Sequence, residues 1–189
     1  MADFAAARLN MVESQVRTND VTDVRIQDAM RTIPRENFMP EGKAYLAYAD
    51  LEAEHAPGRW LLKPRDVSKL IQALRPMPGE RCLAINAPYA AAVIETMGVA
   101  VERLDGADLT SVAPDAYDLV VVEGAVGRAP DAWLKGLAMG GRLGVVERDG
   151  IVGQAVLYVR SDDGIGRRDL FDAFPPVLAG FETRPGFAF

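Results

Sequence analysis

Arg81-Cys82-Leu83-Ala84-Ile85-Asn86-Ala87-Pro88-Tyr89 decides the fold class of this chain. Its first five residues form a short apolar run, which is typical of a parallel strand that is buried on both faces. Residues 90–97 then predict a short helix that ends at Gly98. A strand, a loop and a helix in this order place the loop Asn86-Ala87-Pro88-Tyr89 where α/β proteins bind nucleotide-like cofactors, yet this loop contains no glycine.

The same alternation continues along the chain. Apolar runs and their flanking turn residues predict helices at residues 65–74 and 130–137 and strands at residues 99–104, 118–122 and 142–147. Gly140-Gly141 is expected to stop the second of these helices, and residues 154–160 and 181–189 are expected to form a closing antiparallel pair. Alternating strands and helices predict a mostly parallel sheet with helices on both faces. Ligands of such sheets bind beyond the carboxyl ends of the strands.

Residues 1–60 predict helix and loop instead. Asp3 is a candidate cap of a first helix, and Thr22 or Asp23 of a second, which Pro34 ends. We therefore expect a single domain, with an N-terminal helical segment at residues 1–60 and an α/β core at residues 61–189.

Composition and charge narrow the possible functions. The chain has 189 residues, of which 49% are hydrophobic and 25% charged, and its net charge is −6. A nucleic-acid partner is not expected, because such proteins present a basic face. No apolar run approaches the ~20 residues of a membrane span, and no secretory leader is recognisable, so a cytoplasmic location is expected. Cys82 is the one cysteine, which rules out an internal disulfide and a cysteine-cluster metal site.

Several segments, in order and spacing, resemble protein-L-isoaspartate O-methyltransferases over nearly the whole chain. They are Asn10-Met11-Val12-Glu13-Ser14-Gln15-Val16-Arg17, Pro34-Arg35-Glu36-Asn37-Phe38-Met39-Pro40, Ala47-Tyr48-Ala49-Asp50, the run from Tyr117-Asp118 to Gly124-Ala125, and Gly140-Gly141-Arg142-Leu143. The resemblance implies a Rossmann-like methyltransferase fold. It also implies S-adenosylmethionine as cofactor and methylation of the carboxylate of isoaspartyl residues in damaged proteins.

The cofactor loop departs from the family pattern. The resemblance implies an acidic residue at the end of the first strand and then Gly-x-Gly-x-Gly-Tyr, but here Ala84 takes the place of the acid and the loop is about two residues short. Pro88 lacks a backbone donor and has a fixed φ. Asn86, Ala87 and Tyr89 remain as cofactor-binding candidates, although we do not expect the loop to hold the amino-acid end of the cofactor in the usual way.

A second departure lies between Leu104 and Leu119, where the family places a helix, a strand and another helix. A parallel crossover needs about a dozen residues, so this segment has room for one only. We expect an edge strand and at least one helix to be missing, and with them contacts to the adenine. Glu102 matches the acidic residue that binds the ribose hydroxyls in the family. Glu123 and Gly124, at the end of the strongest strand, complete the cofactor-binding candidates.

A third departure removes the family's catalytic serine. The family's Thr-Ile-Ser-Gln-Pro segment corresponds to Trp60-Leu61-Leu62-Lys63-Pro64, so the serine position falls on Leu62, which can neither donate nor accept a hydrogen bond. Methyl transfer from a sulfonium depends mainly on alignment and a polar carboxylate pocket, so losing the serine harms positioning most. No catalytic residue is therefore assigned.

Structural roles are expected for the other chemically notable residues. We expect a surface position in a polar loop for the lone histidine, His55, and a buried thiol for Cys82. Trp60 and Trp133 are expected to be packing residues, and Asp118 is expected to make a polar contact at a strand start. Asp162-Asp163 is expected to form a hairpin turn rather than a metal loop.

Three hypotheses for function follow. The first is a member of the family that is catalytically impaired or inactive and is kept for binding or assembly, because four losses converge on one site. The second is an active S-adenosylmethionine-dependent carboxyl methyltransferase with a rebuilt site, and the third is an α/β protein with a different small ligand. Partners are expected to be a protein substrate or a protein partner. A missing edge strand exposes a sheet edge, which predicts a homodimer, and the helices at residues 4–33 offer another contact surface.

Overall fold

The computed structural model describes residues 3–183. Its α-helices are α1 (Phe4–Met11), α2 (Val24–Thr32), α3 (Pro64–Leu74), α4 (Pro88–Glu95) and α5 (Asp131–Lys135). A π-helical turn at Val12–Val16 and short 3-10 turns at Arg17–Asn19, Arg35–Phe38 and Ala44–Leu46 complete the helical part. The strands are β1 (Ala53–Ala56), β2 (Arg59–Leu61), β3 (Arg81–Ile85), β4 (Ala100–Leu104), β5 (Tyr117–Val126), β6 (Leu137–Asp149), β7 (Val152–Ser161) and β8 (Gly164–Asp172).

Six strands form the main sheet in the order β4-β3-β5-β6-β7-β8. The first four run parallel, whereas β7 and β8 run antiparallel to their neighbours. This confirms the predicted mostly parallel sheet with an antiparallel end. Because β3 is central, its side chains are buried on both faces: Cys82 and Ala84 pack on one side, and Leu83 and Ile85 on the other.

The helices cover the two faces of the sheet unequally. The N-terminal helices, α3 and α4 pack on one face in a single large core. The opposite face is covered by α5, whose Trp133 is fully buried and donates from Nε1 to the Leu109 carbonyl at 2.6 Å. Trp133 is thus a packing residue, as predicted, and Cys82 is 1% exposed, which confirms the buried thiol.

Two predictions for the C-terminal half were wrong. Gly140-Gly141 does not stop a helix, because the helix has ended at Lys135 and both glycines lie inside β6. They lie in an irregular stretch where β6 has extra residues opposite β5, and a Cβ on Gly141 would lie 2.7 Å from the Ala138 carbonyl oxygen. The bulge therefore requires glycine at this position.

The second error concerns the partner of residues 154–160. These residues lie in β7, which pairs with β8 through the hairpin turn at Asp162-Asp163. Residues 181–183 form no strand, and residues 184–189 lie outside the described part of the chain. β8 lacks an apolar pattern because its first six residues are exposed at the sheet edge.

The segment between β4 and β5 contains no helix or strand over residues 105–116, so β4 is an edge of the sheet. His55 departs from its predicted loop, because it lies half-buried in β1, which pairs with β2 in a two-stranded sheet. Trp60 is likewise half-buried, opposite Glu54 in this small sheet.

Candidate functional site

A buried polar cluster lies beyond the carboxyl ends of β3 and β5, where sheets of this type bind ligands. It is formed by Arg35, Asn86, Tyr89 and Glu123, and each of these side chains is 0% exposed. Asn86 follows β3, Tyr89 lies in the first turn of α4, and Glu123 lies near the end of β5. The fold therefore brings together three of the predicted cofactor-binding residues with one arginine that was not predicted.

The Glu123 carboxylate occupies the N-terminal end of α4. Its Oε2 accepts a hydrogen bond from the Ala90 amide at 3.1 Å, and its Oε1 accepts one from the Leu62 amide at 3.1 Å. Pro88 begins α4 and has no amide hydrogen, so Ala90 supplies one of the few donors that this helix end offers. A carboxylate at a helix N-terminus is stabilised by the free amides and by the helix dipole. Here that anion is a side chain of the protein itself.

Arg35 is the cation of the cluster. Its Nε donates to the Ala47 carbonyl at 2.8 Å, one Nη donates to the Leu62 carbonyl at 2.6 Å, and its guanidinium carbon lies 4.4 Å from the centre of the Tyr89 ring. Sequence reasoning used Arg35 only as part of a family motif. No signal in the sequence marks it as buried, because Glu36 follows it directly and its carbonyl partners are brought close only by the fold.

Burial shifts the ionisation of this cluster. Desolvation raises the pKa of Glu123 from 4.5 to about 7, against the opposing effect of Arg35 and of the backbone donors. Desolvation also lowers the pKa of Arg35 and raises that of Tyr89 above its ordinary value. The pKa of His55 is lowered, again mainly by desolvation. Near neutral pH, Glu123 therefore exchanges between a carboxylate that the nearby Arg35 cation stabilises and a neutral acid.

Four buried polar atoms of the cluster have no hydrogen-bond partner among the described residues. They are Arg35 Nη1, Asn86 Oδ1, Tyr89 Oη and His55 Nε2. The Asn86 side chain is held from its other end, because Nδ2 donates to the Glu123 carbonyl at 2.8 Å, and its backbone has φ of +49°. Asparagine tolerates this left-handed conformation better than most residues, so the turn forms without glycine.

The chain's own residues close the cluster from solvent. Leu62, at the serine position, is 0% exposed, and Ala87 is 1% exposed. The C-terminal segment adds a further cover: Ala125 in β5 pairs with Val146 in β6 and, on its other side, with Val177. Val177 therefore lies beside β5 where β3 has ended. Gly124, with φ of +114°, permits this approach, because a Cβ there would lie 2.9 Å from Leu178.

Two residues that sequence reasoning considered lie elsewhere. Glu102 is in the middle of β4 and not at its carboxyl end, and its carboxylate accepts a hydrogen bond from the Tyr117 hydroxyl at 2.8 Å. The structure does not bring it to the cluster. Asp118 accepts from the Arg81 amide at 2.8 Å, so it makes the polar contact at a strand start that was predicted.

Three side chains of the cluster present no open surface to a ligand in this arrangement. Asn86, Tyr89 and Glu123 have no exposed surface, and the α4 amide of Ala90 is already bonded. Within residues 3–183, no group of three His, Cys, Asp or Glu side chains is arranged to hold a metal ion. No helix in the same part of the chain combines the length and apolar character needed to span a membrane.

The chain has a Rossmann-like methyltransferase fold. The structure superposes on a protein-L-isoaspartate O-methyltransferase beta-aspartate methyltransferase from Plasmodium falciparum in complex with S-adenosyl-L-homocysteine, with a TM-score of 0.74 and 14% identity, over 90% of this chain and 97% of that one. A second solved protein-L-isoaspartate O-methyltransferase gives a TM-score of 0.71 at 19% identity, over 92% of this chain and 66% of the other.

Sequence relatives identify the family. The chain is 33% identical to the protein-L-isoaspartate O-methyltransferase of Methylorubrum extorquens (strain PA1), over 96% of this chain and 92% of the relative. It is also 33% identical to that of Methylorubrum populi (strain ATCC BAA-705 / NCIMB 13946 / BJ001), over 93% of this chain and 96% of the relative. No protein-family model matches the chain. The chain belongs to the protein-L-isoaspartate O-methyltransferase family.

Proposed function

We propose that this chain is a family member that does not carry out S-adenosylmethionine-dependent methyl transfer and acts through binding to a protein partner. One observation carries the proposal: the Glu123 carboxylate, 0% exposed, bonds the amides of Ala90 and Leu62 at the place where the fold binds its ligand. The loop Asn86-Ala87-Pro88 supplies no glycine, and Leu62 supplies no hydroxyl.

The energetics of the cluster support this reading. A ligand carboxylate at α4 would have to displace Glu123, and the displaced side chain would lose two backbone donors and the nearby Arg35 cation. Each hydrogen bond to a charged group contributes roughly 1.5 to 3 kcal/mol, so the displacement opposes binding by several kcal/mol. An ordinary cofactor affinity in the micromolar range corresponds to about 8 kcal/mol in total, and the displacement takes a large share of it.

Calorimetric titration with S-adenosylmethionine and with S-adenosylhomocysteine tests the proposal. The full-length Methylorubrum extorquens relative serves as the positive control under the same conditions. We expect no heat of binding from this chain at cofactor concentrations that saturate a micromolar site. Micromolar binding of either compound would overturn the proposal.

The second candidate is an active S-adenosylmethionine-dependent carboxyl methyltransferase that repairs isoaspartyl residues in proteins. The specific observation in its favour is the 33% identity, over nearly the whole chain, to relatives that carry this name. Incubation with labelled cofactor and an isoaspartyl peptide decides it, because the methyl ester formed releases volatile methanol in alkali. Label release above a no-enzyme blank, at high enzyme concentration, would establish this candidate.

We propose separately that two copies of this chain associate. β4 lies at the sheet edge and three of its five residues are exposed, so two copies could pair through it. Arg103 and Glu95 form an ion pair at 2.6 Å beside this edge. Light scattering is expected to give the mass of a dimer, and a monomer at high concentration would contradict the proposal.

A further inference from the structure

β8 forms the other edge of the sheet, far from β4. Eight of its nine residues pair with β7 and none pairs with another strand, so the outer edge of β8 has no strand partner among residues 3–183. One extra β8 residue, Leu170, interrupts the register, which leaves residues 164–169 as a regular stretch. The free donors and acceptors of such an edge are a template for pairing with another extended chain.

A basic groove runs along one side of this edge. It has a volume of about 650 Å³ and lies between the start of α2, α3 and β8. Its cations come from all three elements: Arg25 at α2, Lys69 and Arg75 at α3, and Arg168 on β8. Asp20 and Asp23 are the acidic residues in the lining, and Asp23 is paired with Arg25 at 2.6 Å. A local excess of positive charge on a chain of net charge −6 marks this groove as a separate feature.

Three of these cations are available to an outside partner. Lys69, Arg75 and Arg168 form no ion pair with a described residue. Lys69 is placed by the Phe171 ring, whose centre lies 4.9 Å from the lysine nitrogen, and Arg75 and Arg168 are exposed. The groove therefore presents three unpaired cations against one unpaired carboxylate, that of Asp20, among the described residues.

The register fixes which side of β8 faces the groove. Arg168 lies opposite Leu157, a member of the core on the α3 side of the sheet. Side chains of a strand alternate between faces, so an added strand beside β8 would direct every second side chain toward Arg168, Lys69 and Arg75. The edge selects an extended backbone, and the groove selects negative charge at alternate positions.

We propose that the β8 edge and its basic groove bind an extended acidic segment of a partner protein as an added strand. The proposal rests on the proposed function, since it supplies the partner surface that a binding role requires. A second copy of this chain is disfavoured at this edge, because antiparallel pairing of two β8 strands would bring Arg167 and Arg168 close to the same residues of the other copy. Like charges on neighbouring strands destabilise pairing.

Fluorescence anisotropy with a labelled eight-residue peptide of alternating glutamate and valine tests the site. We expect saturable binding that weakens with salt, and at least tenfold weaker binding of the glutamine–valine peptide, because charge complementarity provides the selectivity. Peptides N-methylated at alternate residues, prepared in both registers, should lose binding in one register only. This last result distinguishes strand addition from simple attraction of a polyanion.

Matched charge reversals locate the site on the protein. Arg168→Glu is expected to weaken glutamate–valine binding by about tenfold, whereas Lys135→Glu, an equal charge change on the exposed end of α5, should leave it within about twofold. Both positions are exposed, and unchanged melting temperatures would confirm intact folds. Equal effects of the two variants would overturn the proposal, as would equal binding of both N-methylated registers. A concentration-dependent dimer that Arg168→Glu abolishes would assign the edge to a second copy and overturn it as well.

These outcomes are independent of cofactor binding. If the peptide fails to bind while calorimetry detects no cofactor binding, the groove proposal falls and the proposed function stands. If the peptide binds and the cofactor also binds, the groove remains and the proposed function falls.

Discussion

Replacing Glu123 by glutamine should change how the stability of the protein depends on pH. The carboxyl pKa is about 7 in the folded state and 4.5 as an ordinary glutamate, and the side chain is fully buried. Between these values the folded state retains a proton that the unfolded state has released. Stability from this group is therefore complete below about pH 4.5 and is lost as pH rises toward 7. A difference of about 2.5 pKa units corresponds to about 3 kcal/mol.

Urea unfolding of the wild type and of Glu123→Gln, at half-unit steps from pH 5 to 8, measures this loss. The amide keeps the shape of the side chain but cannot ionise, and it leaves one backbone donor poorly bonded at a constant cost of about 1 to 3 kcal/mol. This cost lowers the unfolding free energy of the variant by the same amount at every pH. The difference in unfolding free energy, wild type minus variant, should fall by most of 3 kcal/mol across this range.

Glu147 provides a matched control with the opposite shift. Burial raises its pKa, but hydrogen bonds from Tyr158, the Ala129 amide and Arg167 outweigh burial and lower the pKa below its ordinary value. Glu147 is therefore ionised in both states above about pH 5, and Glu147→Gln should run parallel to the wild type in the same range. A wild-type-minus-variant difference for Glu123 that stays constant from pH 5 to 8 would refute the raised pKa and the argument built on it.

Three other substitutions test the packing of the site by urea unfolding. Arg35→Met should cost about 3 to 5 kcal/mol at pH 8, where it removes the cation that stabilises an ionised Glu123, and less at pH 5; an equal cost at both values would contradict this Coulombic stabilisation. Gly124→Ala should cost about 1 to 3 kcal/mol, because its φ is +114° and its Cβ would be crowded, whereas Gly166→Ala, with its nearest neighbour at 3.8 Å, should change little. Leu62→Ala should cost about 2 to 5 kcal/mol as a fully buried core residue, and a cost under 1 kcal/mol would be inconsistent with its burial.

The sequence allowed the central strands to be predicted because burial on both faces leaves a continuous apolar run. β3 begins and ends where expected, and β5 only extends the predicted strand. β8 could not be recognised, since an exposed edge strand may carry glycines and arginines without loss of packing. The same limit explains the error at Gly140-Gly141, where glycine serves a bulge whose geometry depends on pairing with β5.

The candidate site was predicted in part for a similar reason. Asn86, Tyr89 and Glu123 lie together at the strand ends, as expected, because strand ends of a parallel sheet meet at one edge. Their role in cofactor binding stays a prediction. Arg35 was not, because its carbonyl partners lie 12 and 27 residues away in the chain and only the fold brings them close. Glu102 was misplaced because it lies two residues before Leu104, in the middle of β4 and not at its carboxyl end.

The departures at this site form one physical arrangement rather than separate losses. Glycine is needed where a backbone must approach a ligand closely, and Glu123 now occupies the α4 amide that a ligand would use. Its other oxygen bonds the amide of Leu62, so the residue at the serine position contributes its backbone and packs its side chain into the core. Arg35 bonds the carbonyl of the same Leu62 and offsets the buried charge. Restoring a serine or a glycine alone would leave the Glu123 carboxylate and its two backbone donors in place, so under the proposed function a gain of cofactor binding requires removing Glu123 as well.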